Sequence, residues 1–145
     1  MEDLELMKQE LVKWADSTAN LYNDLAQKKP DFDKAFYTQS NLNDLEQRPE
    51  LLILAINPGA GGSYTDQVTN SLWTGWGLNG KMDGTTLLKG NPTWEERDVK
   101  WKFWQRLKSI LRRGEIESII QDKSKFVLTN LTLFSSVQAK EKDVQ

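Results

Sequence analysis

Two asparagines and a glycine-rich turn are the residues of this sequence best suited to chemistry. Asn57 follows the aliphatic run Leu51 to Ile56 in the stretch LLILAINPGAGGSY. Pro58 fixes its own φ and pushes the preceding residue toward extended geometry, so Asn57 is presented at the strand's end on a stiff mount. Gly59, Gly61 and Gly62 then permit backbone N–H groups to converge on an anion or a carbonyl oxygen. The alternative for this stretch is a tight turn leaving a buried strand. Asn130 lies toward the end of a second strand-like run, KFVLTNLTLF. Two parallel strands would bring both asparagines to one pocket, because open sheets bind ligands just outside the carboxyl ends of their strands. The loop lacks the lysine of a P-loop and the spacing of a dinucleotide fingerprint, which sets ATP and NAD aside.

The composition removes several other chemistries. The chain has 145 residues with no cysteine and no histidine. Disulfides, thiolate zinc sites and cysteine-ligated clusters are therefore excluded within it, as is the commonest general base. No cofactor and no metal ion is expected, since the carboxylates are scattered along helix faces. A net charge of −2 advertises neither nucleic acid nor membrane, so any such partner must come from a local patch. The N-terminal segment MEDLELMKQE lacks the apolar stretch of a signal peptide, and no run reaches the roughly 20 apolar residues of a membrane span. A cytoplasmic location is the default expectation.

The elements that must hold these residues follow from periodicity. Leu4, Met7, Leu11, Trp14, Thr18, Leu21 and Leu25 recur at steps of three and four, predicting a helix over 2–27 with that face toward the core. A polar connection with a short helix near Asn41 to Gln47 leads to the first strand, whose unbroken aliphatic character predicts burial on both faces. Residues 57–91 read as a long loop carrying eight of the nine glycines together with Trp73 and Trp76. Thr93 and Glu96 form a capping-box pattern opening a helix that runs through WKFWQRLKSILRR to a stop at Gly114. A short helix over 115–122, with Ile116, Ile119 and Ile120 inward, precedes the second strand over 125–134. Strand, helical crossover and strand make a βαβ unit with parallel strands. The fold class expected is α/β in a single domain spanning 1–145, with its core over 50–134.

The stretch ILAINPGAGGSY resembles the first motif of the uracil-DNA glycosylase superfamily, in the Asn-Pro-Gly form of its mismatch-specific uracil/thymine branch. Three further segments keep the family's order: NSLWTGW, WKFWQRLKSIL and FVLTNLTLFSSVQAKE. The resemblance spans about Leu51 to Glu141. It implies an open parallel-sheet, three-layer fold and cleavage of the bond between a base and its sugar after the base has been turned out of the stack. By this resemblance Asn57 orients the attacking water, and the backbone N–H groups of Gly59 and Ala60 hold a base carbonyl as charge develops on the leaving base. Asn130 reads the base edge with the donor and acceptor of its amide. Trp73 stacks on the base, with Tyr64 and Trp76 as alternatives. The family fold continues with two more strands and a later motif that this sequence does not contain. The expectation is therefore an incomplete fold, its sheet completed by a missing C-terminal segment or by association into a homo-oligomer.

One patch suits DNA. The segment from Lys100 to Arg113 holds six cations and no acid, and Lys100, Lys102 and Arg106 are the expected contacts to phosphates. The same charges also suit the solvated side and C-terminal end of an ordinary helix. Two rival readings share the fold: a nucleobase or nucleotide binder without catalysis, and a protein-interaction module docking through exposed tryptophans.

Overall fold

The computed structural model describes residues 2–29, 32–56, 62–69, 80–91, 99 and 101–135. Four α-helices and two β-strands occur among them: α1 (Glu2–Lys28), β1 (Leu51–Ala55), α2 (Tyr64–Thr69), α3 (Gly84–Lys89), α4 (Lys102–Arg113) and β2 (Phe126–Asn130). Short 3-10 turns at Leu42–Asp44 and Glu117–Gln121 lie where short helices were expected. The architecture is mixed helix and strand around a small parallel sheet. No helix among the described residues is long and apolar enough to cross a membrane.

β1 and β2 pair in parallel, with Leu51 opposite Phe126 and Ala55 opposite Asn130. Two apolar clusters flank β2. Val127 joins the cluster formed with α1, α2 and α3, centred on Phe36, Tyr64, Met82 and Leu87. Phe126 and Leu128 join Trp104, Leu111 and Ile120 in the other. Alternate residues of a strand point to opposite faces, so β2 is covered on both.

β1 departs from expectation. Leu51 and Ile53 pack into the Trp104 cluster, but Leu52, Leu54 and Ile56 are exposed. An unbroken aliphatic run predicted burial on both faces, whereas only one face of β1 is covered. The cause lies outside the strand, in the absence of packing elements over that side among the described residues.

The buried face of α1 also differs. Ala15, Ala19, Asn23 and Ala26 are buried, whereas Trp14 and Leu21 lie exposed. Small residues win the interior because α3 comes very close: a Cβ at Gly84 would collide with Asp16 of α1. Asp83 caps α3 by accepting from Thr86 N at 2.7 Å, and Gly90 ends it at φ 69, tight against the Gln39 and Ser40 backbone. Both α2 and α3 fall within residues 57–91, expected to be a loop.

α4 buries Trp104 and Leu111, while Phe103 and Ile110 point outward. Its capping-box start at Thr93 and Glu96 lies outside the described residues. Gly114 has φ −88, so the left-handed step expected of it is taken instead by Glu115, at φ 59. The second strand is shorter than expected. It ends at Asn130, and Phe134 forms an isolated antiparallel bridge with Phe36.

Candidate functional site

The carboxyl ends of the two strands are fastened together. Leu131 N donates to Ala55 O at 2.9 Å, closing the last ladder pair, and Thr132 N donates to Ile56 O at 3.1 Å just past it. Asn130 sits at this end on the face that carries Phe126 and Leu128. It is only 6% exposed.

Its amide is the polar exception of the interior. Asn130 Nδ2 is the buried side-chain polar atom without a hydrogen-bond partner among the described residues. A buried donor left unmatched costs about 1–3 kcal/mol, and such atoms are uncommon in native interiors. An asparagine bonded within the sheet, the plain reading of this position, would not leave that donor idle.

Two other buried amides, Asn23 and Gln67, are matched on both sides. Asn23 Nδ2 donates to Met82 O at 2.7 Å, while Asn23 Oδ1 accepts from Met82 N at 3.2 Å and from Tyr64 Oη at 2.7 Å. Gln67 Nε2 donates to Phe36 O at 2.8 Å, and its Oε1 accepts from Phe36 N at 3.0 Å. Thr38 Oγ1 donates to Leu87 O at 3.0 Å. The Gln67 and Thr38 bonds pin residues 35–40 as a strap along the outer edge of β2. There Ser40 N donates to Leu128 O at 3.0 Å and Ser40 Oγ accepts from Leu128 N at 2.9 Å. The strap is absent from the sequence reading, although the apolar triplet Ala35-Phe36-Tyr37 inside a polar stretch was its available signal.

Tyr64, an alternative for stacking on a base, belongs to the core. Its ring lies parallel to Phe36 at a centroid distance of 6.0 Å, its hydroxyl is held by Asn23, and burial pushes its phenol up. No ring face remains open to a ligand, which corrects that expectation. Asn57, Gly59, Ala60, Trp73, Trp76 and Lys100 lie outside the described residues. Asn57 is two positions beyond Ala55, the strand partner of Asn130.

The expected phosphate contacts Lys102 and Arg106 are exposed on α4. Farther along, Arg112 is committed to Glu117 through two contacts, at 2.7 and 2.8 Å. Hydrogen bonding to that guanidinium holds the Glu117 carboxyl below its ordinary value. Cations therefore remain on the outer side of the helix, while its C-terminal end is partly neutralised. Among the described residues no three carboxylates gather closely enough to hold a metal ion. Compared with family models, with curated proteins and with solved structures, the chain matches none.

Proposed function

We propose that this chain is a uracil-DNA-glycosylase-like domain, built on an open three-layer sheet, that binds an extruded pyrimidine and cleaves its N-glycosidic bond. The observation carrying this reading is the idle, buried amide nitrogen of Asn130 at the carboxyl end of a parallel strand. A carbonyl oxygen of a base would satisfy that donor, and the neighbouring acceptor of the same amide suits a ring N–H. The parallel register supports the pairing of roles, since the strand opposite Asn130 runs directly into Asn57-Pro58-Gly59. In this reading Asn57 positions water, and Gly59 and Ala60 supply N–H groups to the departing base. Trp73 covers its ring, and Lys100, Lys102 and Arg106 meet phosphates. An amide is no general base at neutral pH. Rate enhancement then comes from positioning and leaving-group stabilisation, and turnover is slow.

The test is base release from oligonucleotides carrying uracil, G·U or G·T, by the parent chain and by Asn57→Ala and Asn130→Ala. Release by the parent and its loss in both variants is the expected result. Tight binding of uracil that depends on Asn130, without release, would replace catalysis with a nucleobase-binding role. Neither binding nor release by a folded parent would overturn the reading.

A further inference from the structure

The sheet's two outer edges are treated differently. That of β2 is closed by the strap described above, helped by Tyr37 N donating to Leu133 O at 3.2 Å and Ser135 N to Ala35 O at 2.8 Å. Nothing among the described residues pairs with the outer edge of β1. Leu51 N donates to Lys125 O, and Ala55 O accepts from Leu131 N. In a parallel ladder this phase turns the backbone groups of Leu51, Ile53 and Ala55 toward β2 and those of Leu52 and Leu54 outward. At the flanks, the Glu50 N–H is engaged with Lys125 O and the Ile56 carbonyl with Thr132 N. Leu52 and Leu54 are thus the residues whose donor and acceptor both face the open side. The apolar side chains beside them are bare: Leu52 is 58% exposed, Leu54 52%, Ile56 49% and nearby Leu131 69%.

We propose that this edge is closed by β1 of a second copy, antiparallel about a twofold axis at Ile53. Two outward-facing residues separated by one position are self-complementary under such an axis. Leu52 pairs with the partner's Leu54 and Leu54 with the partner's Leu52, making four backbone hydrogen bonds. Moving the axis by one pair sets Leu52 opposite the partner's Ile56, or Leu54 opposite the partner's Glu50, and each of those residues already has a group engaged. The axis at Ile53 also places leucine against leucine on the exposed face and sets no like charges opposite each other. The result is a four-stranded sheet, β2–β1–β1–β2, whose exposed apolar strips merge. Pairing of two five-residue strand edges makes a small interface, below the standard size of specific complexes, and the dimer is expected to be weak and reversible.

Sedimentation of the full 145-residue chain over a concentration series tests association, and Leu54→Lys tests the edge. Lysine at an exposed strand position leaves the fold intact, as circular dichroism and thermal unfolding will verify, but blocks edge pairing. Register is tested by Ile53→Cys, since the native chain contains no other thiol. Facing residues at a non-hydrogen-bonded antiparallel pair lie about 4.5 Å apart between Cα atoms, within disulfide reach. The expected result is a reversible dimer, lost in Leu54→Lys and trapped by mild oxidation of Ile53→Cys, with a Val12→Cys control on exposed α1 remaining unlinked. A monomer at every concentration, a dimer that survives Leu54→Lys, or an Ile53→Cys dimer that does not cross-link would overturn the proposal.

Discussion

β1 and β2 are five residues each and paired residue for residue, β1 aliphatic throughout and β2 apolar over its first three positions, yet they live in different solvents. Leu128 of β2 is 1% exposed, whereas Leu54 of β1 is more than half exposed. The difference does not arise in the strands. β2 has a strap along its outer edge and side-chain layers over both faces. β1 has β2 on one side and, among the described residues, no strand on the other. Burial of a strand is thus determined by what reaches its second edge, a property held by residues 35–40 and 126–135 rather than by the strand's own composition.

The sharpest test of this comparison is one substitution made in both strands. Leu128→Ala should cost about 2–5 kcal/mol in chemical denaturation, because it opens a cavity in a closed cluster. Leu54→Ala, measured on dilute monomer, should stay within about 0.5 kcal/mol. Similar costs at the two sites would mean that the β1 face is covered.

Alkaline pH attacks the covered side alone. Burial pushes the Tyr37 phenol from 10.0 up to about 12, so the unfolded chain ionises there first. Stability from this group is complete below pH 10 and is lost as pH rises toward 12, by about 3 kcal/mol for a shift of that size. Tyr37→Phe should flatten that part of the stability profile between these values. An unchanged slope would remove Tyr37 from the account.

A smaller loss, about 1–3 kcal/mol, is expected from Gln67→Ala, which leaves the buried N–H and C=O of Phe36 without partners. The strap should loosen with it. Faster amide exchange at Leu128 would report that loosening, and unchanged exchange would show that the strap is held by other contacts.

The smallest effect should have the opposite sign. Asn130→Leu replaces an unmatched donor with an apolar side chain of similar size, and should raise stability by about 1 kcal/mol and, under the proposed function, abolish base binding. Destabilisation would reveal that the amide has a structural partner after all.

Features that depend on long patterns are legible in the sequence. A first helix, two strands, their parallel crossover and the amphipathic α4 were legible because apolar spacing repeats over many residues. Elements defined by close approach were hidden. Gly84 reads as a loop residue, yet its missing side chain is what lets α3 settle against Asp16. Alanines 15, 19 and 26 carry too little hydrophobic signal to compete with Trp14 and Leu21, though they form the interface. At the candidate site, Asn130 came from resemblance and strand position, while the idleness of its donor could come only from three-dimensional neighbours. Tyr64 was ambiguous because an aromatic after a glycine loop serves a pocket or a core equally well. Its hydroxyl contact with Asn23, 41 residues away, is invisible in sequence.

The strap has a consequence for synthesis. Ser40 closes on Leu128, 88 residues later, and the Tyr22 hydroxyl receives the Leu133 N–H across 111 residues. A ribosome adding roughly 5–20 residues per second leaves the aromatic surface of Tyr22 and Phe36 waiting about 5–20 s for its other half. During that interval α1 and the strap present an apolar surface with its covering strand not yet made. The nascent chain is therefore most vulnerable to aggregation, and most in need of a chaperone, between the emergence of the strap and that of residues 126–135.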